Sequence, residues 1–265
     1  MRLAILSDIH GNLPALDAVL ADIDRERKVD AIINAGDILS GPLLPAETAE
    51  RLMGRREIAM VAGNNDRQVL TLPIDSMGAG DAYAAKSISA AQREWLMSAP
   101  ATRWMGEEVF VCHGTPTSDE QYLMETVTDD FGKNGSPGIR AATRAELCDR
   151  LGRGPHTKRA RVIVCGHSHV PRVTTATIAE SEWGAILVVN PGSVGLPSFD
   201  DTSPYPYIVE TCSPHARYAV VSQTPAGWSA ELHCVAYDFE PMAKMAESRG
   251  QPGWARALRT GSMRQ

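Results

Sequence analysis

The first half of the chain alternates short apolar runs with segments in which apolar residues recur every three or four positions. Residues 2–7 and 31–35 are apolar runs of strand length. Between them, helical spacing is kept by Leu13, Leu16, Val19, Leu20 and Ile23. Pro14 suits the first turn of such a helix. This alternation predicts an α/β protein with a largely parallel sheet.

The same periodicities predict further elements in the first two thirds of the chain. Helices are expected at 45–56 and from Ser89 to about Ser98, and strands at 57–62, 109–112 and 161–165. Ser89 and Gln92 have the spacing of a capping box, which supports the second of these helices.

The last third has a different pattern. Strands are predicted at 185–189, 207–211, 216–222 and 228–237, and Pro241 is expected to open a final helix. In the last of these strands, Trp228, Ala230, Leu232, Cys234 and Ala236 alternate with other residues, which predicts antiparallel strands with that face buried. No linker separates the two halves, so we predict one domain over residues 1–265, with two sheets and helices outside them.

Two segments are less regular. Residues 115–138 contain several glycines and are interpreted as an insertion with a mobile tip. Residues 196–206 contain three prolines and two aspartates and are interpreted as an ordered loop. Loops of this length are often functional, although a solvated connection is an equally good explanation here.

Composition excludes several classes of protein. Apolar residues make up 43% and charged residues 22% of the 265 positions, as in ordinary globular proteins. The formal net charge is −6, which argues against a broad basic face for nucleic acid. No run approaches the roughly 20 apolar residues that span a bilayer, and the N-terminal apolar run is too short for a signal peptide. Five cysteines without a CxxC pair favour a reducing cytoplasm.

Five predicted strands end in short polar segments that contain glycine. The side chains that these segments supply are Asp8, His10, Asp37, Asn64, His113, His167 and His169. Because ligands bind at the carboxyl ends of parallel strands, the segments are expected to meet at one sheet edge. Each segment alone is better explained by a helix cap and a satisfied histidine, but five in order favour a shared site.

These seven side chains need cations if they share a buried site, since carboxylates, imidazoles and an amide are costly to bury unpaired. Two divalent ions and a bridging hydroxide would leave a small net positive charge, which suits a phosphate. Nitrogen and oxygen ligands without thiolate favour Mn, Fe, Zn, Ni or Co over Ca or Mg.

The order of these motifs resembles the calcineurin-like metallophosphoesterase superfamily. The motifs that carry the resemblance are Asp8-x-His10, Gly36-Asp37, Gly63-Asn64, His113-Gly114 and Gly166-His167-x-His169. Residues 7–16, 190–195 and 235–238 are similar to its small soluble bacterial and archaeal branch, so that the resemblance covers nearly the whole chain. The motifs are specific for the superfamily and poorly specific for substrate.

The resemblance implies a four-layer α/β/β/α sandwich of two mixed sheets and a dinuclear site. One metal would be held by Asp8, His10, Asp37 and His169, and the other by Asp37, Asn64, His113 and His167. Asp37 would bridge the two metals, and a hydroxide between them would attack phosphorus. Asp37, Asn64, Asn65 and His113 are the candidate catalytic residues.

Asn65 departs from the family pattern. Many members have a histidine there that contacts the phosphate and protonates the leaving group. Asn65 can donate a hydrogen bond but cannot deliver a proton. We therefore expect good leaving groups, such as aryl phosphates or phosphoanhydrides, to react far better than alkyl esters.

Four other residues keep two interpretations. Asp66 either orients the site or caps a helix, and Asn12 either touches substrate or starts a helix. Ser193 either approaches the site or belongs to a tight turn. Tyr122 either lines a pocket or packs in the core.

The predicted function is metal-dependent hydrolysis of a small-molecule phosphate mono- or diester, with manganese among the candidate metals. The alternatives are a metal-binding interaction module with little turnover and a nucleotide-specific phosphatase or phosphodiesterase. A nuclease is disfavoured by the acidic balance. A cytoplasmic location and no membrane contact are expected, and a homo-oligomer stays open.

Overall fold

The computed structural model describes residues 1–26, 28–152 and 154–264. Its helices are α1 (Leu13–Glu26), α2 (Pro45–Met53), α3 (Asn64–Thr71), α4 (Ala79–Ser87), α5 (Ala90–Met97), α6 (Arg144–Leu151), α7 (Pro155–Arg159), α8 (Glu240–Ser248) and α9 (Pro252–Thr260). Short 3₁₀ turns lie at Ile74–Ser76 and Lys133–Gly135. None of the helices in the described ranges is long and apolar enough to cross a bilayer.

The described strands form two larger sheets and two hairpins. They are β1 (Arg2–Leu6), β2 (Ala31–Asn34), β3 (Ile58–Met60), β4 (Arg103–Met105), β5 (Val109–Val111), β6 (Glu125–Val127), β7 (Ile139–Ala141), β8 (Val162–Val164), β9 (Arg172–Thr177), β10 (Ala185–Asn190), β11 (Ser198–Asp201), β12 (Tyr207–Glu210), β13 (Ala216–Thr224) and β14 (Gly227–Val235).

Each five-stranded sheet has parallel strands at its centre. The first sheet has the order β14-β13-β1-β2-β3, and the second β4-β5-β8-β10-β9. Strands β1, β2 and β3 are parallel, as are β5, β8 and β10, whereas the outer pairings β1–β13, β13–β14, β4–β5 and β9–β10 are antiparallel. The parallel strands therefore end together, at one edge of each sheet.

The two sheets pack face to face with helices outside, so the predicted four-layer α/β/β/α architecture is confirmed. Alternate residues of β1 show why: Leu3 and Ile5 enter the core between the sheets, while Ala4 and Leu6 enter the core beneath α1. The second sheet buries its outer face against Leu147 of α6 and the neighbouring helix. This period-two alternation of buried faces is what a doubly covered sheet requires.

The capping box at α5 was predicted from sequence and is present. The Ser89 hydroxyl accepts from the Gln92 amide at 3.2 Å, and the Gln92 side chain accepts from the Ser89 amide at 2.9 Å. Both unpaired amides of the first turn are satisfied in this way.

Several boundaries predicted from sequence were wrong. Helix α2 ends at Met53 rather than at residue 56. Just after the helix, the Gly54 amide donates to the Glu50 carbonyl. The segment 115–138 contains β6, which pairs with β7, and the loop 196–206 contains β11, which pairs with β12. The C-terminal part has two helices, α8 and α9, instead of one. Short paired strands of this kind are fixed by their partner rather than by local pattern.

The predicted buried face of β14 was half wrong. Trp228 and Ala230 pack in the core between the sheets, but Leu232 is 42% exposed and Cys234 is exposed. In the second half of the strand, Val235 packs instead against the core beneath α1. Both faces of this edge strand are therefore used, each over half of its length.

Candidate metal centre

The seven candidate ligands lie at the carboxyl edge of both sheets. Asp8 and His10 follow β1, Asp37 follows β2, and Asn64 opens α3 after β3. The second sheet supplies His113 after β5, and His167 and His169 after β8. Two clusters result, and in each the ligand atoms lie within 4.8 Å of one another. We call Asp8, His10 and His169 the inner cluster, and Asp37, His113 and His167 the outer cluster.

The inner cluster is built around two facing imidazoles. The Nε2 atoms of His10 and His169 are 3.1 Å apart, and His10 Nδ1 donates to the Ser40 carbonyl at 3.0 Å while His169 Nδ1 donates to the Leu196 carbonyl at 2.6 Å. A carbonyl only accepts, so each Nδ1 carries the hydrogen and each Nε2 of the neutral ring presents a lone pair. Asp8 Oδ1 lies 3.3 Å from His169 Nε2 and is a buried oxygen without a hydrogen-bond donor.

The outer cluster has a similar construction with one ring reversed. His113 Nδ1 donates to the Ala35 carbonyl at 2.8 Å, which turns Nε2 toward Asp37 Oδ2 at 3.2 Å. His167 donates through Nε2 to the Glu120 carbonyl at 3.0 Å, so its Nδ1 is the free nitrogen. Backbone carbonyls thus fix the tautomer of each ring, as they do for metal-binding histidines.

Asp37 lies between the two clusters. Its Oδ2 is 3.2 Å from His113 Nε2 and 4.0 Å from His10 Nε2, while Oδ1 accepts from the Asn65 amide at 3.0 Å. Asn64 adds an oxygen to the outer cluster, with Oδ1 3.1 Å from His113 Nε2. This places one carboxylate oxygen within reach of both clusters.

The donor set fits divalent transition metals. The Nε2 atoms of His10 and His169 face each other at 3.1 Å while each Nδ1 donates to a carbonyl, an arrangement that is repulsive unless a cation or proton lies between them. The buried Asp8 oxygen without a donor has the same requirement. Imidazole nitrogen with carboxylate and amide oxygen is the ligand type of Mn, Fe, Zn, Ni and Co sites.

Five of the seven candidate ligands have a left-handed backbone. Asp8, His10, Asp37, His167 and His169 have φ values between 51° and 67°. Such values are uncommon for residues other than glycine, cost of order 1–3 kcal/mol each, and concentrate at functional sites. The strain turns each side chain back across the sheet edge toward the clusters.

Two glycines allow the strand ends to approach one another. A Cβ at Gly36, where φ is +103°, would lie 2.6 Å from His113 Nδ1, and a Cβ at Gly63 would lie 2.1 Å from Asp37 Oδ1. Neither contact is possible for a larger residue without displacing a candidate ligand.

The protonation of the clusters follows from burial and from the neighbouring charges. Burial lowers the pKa of His10 and of His167 to about 4, which leaves both rings neutral. For His113 burial also lowers the pKa, but the charge and hydrogen bond of Asp37 outweigh it and raise the pKa to about 10. The same interaction holds the pKa of the Asp37 carboxyl below its usual range despite burial. In this pair a proton occupies the position that suits a cation.

Asn65 lies beside the clusters without joining them. Its side-chain nitrogen faces Asp81 Oδ1 at 3.4 Å and Gln68 Oε1 at 3.5 Å, and its Oδ1 accepts from the Asn64 amide nitrogen at 3.3 Å. Burial raises the pKa of the Asp81 carboxyl.

Two of the four residues with two interpretations are placed by their hydrogen bonds. Asp66 is buried and accepts from the Gly63 amide at 3.0 Å and the Ile38 amide at 2.9 Å, so it both caps α3 and joins the loop after β2 to that helix. Asn12 caps α1 through its Oδ1 and donates to the Gly195 carbonyl at 2.9 Å, which favours its structural role.

The Ser193 hydroxyl donates to the Asp8 carbonyl at 2.8 Å and accepts from the Leu196 amide at 2.8 Å. It therefore supports the backbone that carries inner-cluster groups. Tyr122 packs against an outer-cluster ring, with its centroid 4.5 Å from that of His167 and the two ring planes tilted by 42°.

Sequence reasoning missed the groups that hold the imidazoles. The carbonyls of Ser40, Leu196 and Glu120 carry no side-chain signal, so no residue pattern could have indicated them. Trp254 of α9 and Phe199 of β11 flank the inner rings at 5.9 and 4.7 Å between centroids. Both come from distant parts of the chain.

The clusters open onto a cavity of about 310 Å³ that is continuous in its lining with a second cavity of about 510 Å³. The shared lining residues are Asn64, Gln68, Tyr122, His167 and Asp201. A phosphate at the clusters would therefore have room beside it for an organic substituent.

Comparison with protein families gives a match over most of the chain. Residues 1–213 match the model of the calcineurin-like phosphoesterase superfamily domain, a range that includes all seven candidate ligands. Among curated proteins, the chain is 29% identical to the uncharacterized protein MJ0912 of Methanocaldococcus jannaschii over 221 residues, which cover 74% of this chain and 76% of the relative.

Solved structures with the same fold include two that span the full chain. A metallophosphoesterase from Sphaerobacter thermophilus has a TM-score of 0.68 at 22% identity and covers 98% of this chain and 99% of its own. The hypothetical protein PH1004 from Pyrococcus horikoshii has a TM-score of 0.70 at 18% identity, with 98% of each chain covered. At this identity the likeness shows the fold.

Proposed function

The chain belongs to the calcineurin-like phosphoesterase superfamily, and on that premise we propose that it hydrolyses small-molecule phosphate mono- or diesters at a dinuclear metal site. The inner cluster would hold one divalent ion and the outer cluster, with Asn64, the second. Asp37 would be shared by both. We also propose that both ions come from the group Mn, Fe, Zn, Ni and Co, and that the protein is cytoplasmic.

One observation carries this proposal. Imidazoles from both sheets converge on a single carboxylate oxygen, with the His10 and His169 Nε2 atoms 3.1 Å apart and Asp37 Oδ2 within 4.0 Å of both His10 and His113. A purely structural core has no reason to gather ring nitrogens from both sheets around a buried carboxylate in this way.

Bound divalent ions would supply Lewis acidity toward the phosphoryl oxygens and a hydroxide from water at neutral pH. The protein's own contribution is positional. Asp37 is held in place by the Asn65 amide, and the four rings are held by backbone carbonyls, so that the ligands need little rearrangement during the reaction. Asn65 can donate a hydrogen bond to a phosphoryl oxygen but cannot give a proton to the leaving group.

The test is a metal-dependent assay with two chromogenic esters. Purified protein is stripped with chelator, reloaded with Mn, Ni or Co, and assayed on p-nitrophenyl phosphate and bis(p-nitrophenyl) phosphate. We expect hydrolysis of at least one ester, lost on chelation and restored by metal. A wider panel of phosphate compounds then locates the substrate.

The opposite result has a clear meaning. If the protein binds two ions per chain yet hydrolyses neither ester nor any compound of the panel, the function is that of a metal-binding interaction module. If it binds no ion, the metal-site assignment itself is wrong.

A further inference from the structure

The larger of the two joined cavities extends away from the clusters, and among the candidate ligands it is lined by Asn64 and His167 of the outer site. It is lined on one side by Tyr122 and His167 and on the other by β6, Arg150 of α6 and the loop that follows β11. Its volume of about 510 Å³ is enough for an alcohol or nucleoside-sized group.

Carboxylates dominate the charged groups of this lining. Asp201 stands at the mouth shared by the two cavities, and its Oδ1 is fixed by the amides of Thr202 at 2.5 Å and Ser203 at 3.2 Å. Glu120 and Glu125 also line the cavity. Glu120 is exposed at 63% of its side chain, so solvent partly screens its charge.

The cations near the cavity are already engaged. Arg150 Nη1 donates to the Glu125 carbonyl at 2.6 Å and Nη2 to the Thr126 hydroxyl at 2.6 Å. Arg67 bonds to Glu120 at 2.8 Å, and Arg172 bonds to the Glu125 carboxylate at 3.0 Å.

Among the described lining residues Arg150 is the cation, against the carboxylates of Asp201, Glu120 and Glu125. Glu120 and Glu125 are paired with Arg67 and Arg172, so Asp201 is the carboxylate of the lining without an arginine partner among the ion pairs of the described residues. An anionic substituent would meet the charge of Asp201 where the cavities join, and the guanidinium of Arg150 is already bonded to the Glu125 carbonyl and the Thr126 hydroxyl.

Aromatic rings in the lining give a second reason for a cationic substituent to be preferred. The hydroxyls of Tyr122 and Tyr207 are 2.6 Å apart, and both rings border the cavity next to Asp201. Burial raises the pKa of Tyr207 to about 12, so the phenol stays neutral at physiological pH. Neutral aromatic faces beside a carboxylate attract ammonium groups.

We propose that this cavity holds the organic substituent of a phosphodiester and ranks substituents in the order cationic, uncharged, anionic. The proposal rests on the proposed function, since the phosphate itself is placed at the metal clusters. The substrate class is then a phosphodiester of an amino alcohol or a neutral polar alcohol, rather than a polyphosphate or a phosphorylated nucleotide.

The test uses p-nitrophenyl diesters that release the same phenol and differ in the charge of the other substituent. These are p-nitrophenyl phosphorylcholine, thymidine 5′-(p-nitrophenyl phosphate), and the latter compound with a 3′-phosphate. In Mn-loaded wild type we expect kcat/KM to fall in this order, with the 3′-phosphate lowering the rate roughly tenfold relative to its unphosphorylated partner.

Charge-neutral variants separate this preference from overall activity. Asp201→Asn keeps an oxygen for the two backbone amides but removes the charge, and Glu120→Gln removes the second charge at the mouth. The double variant should reduce the ratio of kcat/KM between the thymidine diester and its 3′-phosphorylated form from about tenfold to about twofold. Glu107→Gln is the matched control, because Glu107 is exposed and precedes β5 at the opposite end of the second sheet; it should leave the ratio unchanged.

A binding measurement separates failure of this inference from failure of the proposed function. By calorimetry on Mn-loaded protein, phosphocholine should bind at least threefold more tightly than ethyl phosphate in wild type and equally in the double variant. Equal kcat/KM for the three diesters, or a faster anionic diester, overturns the inference while the hydrolase stands. If neither these diesters nor p-nitrophenyl phosphate is hydrolysed, the proposed function fails and the two binding constants alone decide the inference.

Discussion

The inner and outer clusters use similar ligands but differ in how far the protein encloses them. Asp8, His10 and His169 are 0%, 5% and 3% exposed, and Trp254 and Phe199 pack against the rings. In the outer cluster His167 is only half-buried, and it borders both cavities.

The supports of the two clusters differ in the same way. The carbonyls behind the inner rings belong to Ser40 and Leu196, both buried. The carbonyl behind His167 belongs to Glu120, in an exposed segment that Arg67 ties down through Asp119 and Glu120. If the two proposed ions are bound, the inner one should exchange slowly and mainly order the site, whereas the outer one should exchange faster and meet the substrate.

The largest expected effect comes from the residue that the clusters share. Asp37→Asn removes the charge that both clusters share, so the affinity of both clusters for their ions should fall. Metal-stimulated hydrolysis should then fall by about a thousandfold or more. Steady-state assay of bis(p-nitrophenyl) phosphate checks this. Asp75→Asn, at an exposed position, is the control and should retain full activity. Activity within tenfold of wild type in Asp37→Asn would mean that the clusters act independently.

The next effect concerns the leaving group. Because Asn65 cannot deliver a proton, aryl esters should react roughly a hundredfold or more faster than alkyl esters of the same charge. Asn65→His should narrow that ratio by raising the alkyl rate. Equal kcat/KM on aryl and alkyl esters in wild type would refute the expectation and indicate another proton donor near the outer cluster.

Metal content distinguishes the two clusters directly. Bound metal should raise the Tm of wild type by several degrees. His167→Ala should keep about one of two ions, held by the inner cluster, and most of that rise. His10→Ala should lose the inner ion and most of that rise. Elemental analysis after dialysis, with differential scanning fluorimetry, measures both. Equal metal loss and equal Tm change in the two variants would contradict the difference in enclosure.

The smallest expected effect is on the support of the outer cluster. Arg67→Ala frees the segment that positions the Glu120 carbonyl, and we expect a three- to tenfold loss of Mn affinity at the weaker site alone. Arg140→Ala removes a comparable exposed bidentate pair, with Glu146, and serves as the control. Calorimetric titration of metal-stripped protein resolves the two sites. An equal loss at the tighter site would show that Arg67 supports both clusters.

Much of the fold could be predicted because its signals are local. Each of the signals used lies within a single strand or helix. They are the apolar runs around β1 and β2, the periodicity of α1 and the Ser89–Gln92 capping box. The hairpin of β6 and β7, the short strand β11 and the division of the C-terminal helical part into α8 and α9 were missed. Their stability comes from partners far along the chain, which a local pattern does not contain.

The seven candidate ligands were selected from sequence because each follows a strand, and parallel strands end at a common edge. The sequence also identified Asn65 as a departure from the family pattern. It did not indicate that the buried face of β14 changes along the strand. Leu232 is exposed although it continues the alternation of Trp228 and Ala230.

What the sequence determined by itself is therefore the choice of side chains and the order of strands that carry them, since both are properties of consecutive residues. The tertiary structure alone decided which ligands share a cluster, which ring nitrogen faces inward, and which charges line the adjoining cavity. Those outcomes depend on carbonyls, aromatic rings and carboxylates that meet only when segments distant in the chain pack together, as the Ser40 carbonyl and Trp254 do with His10.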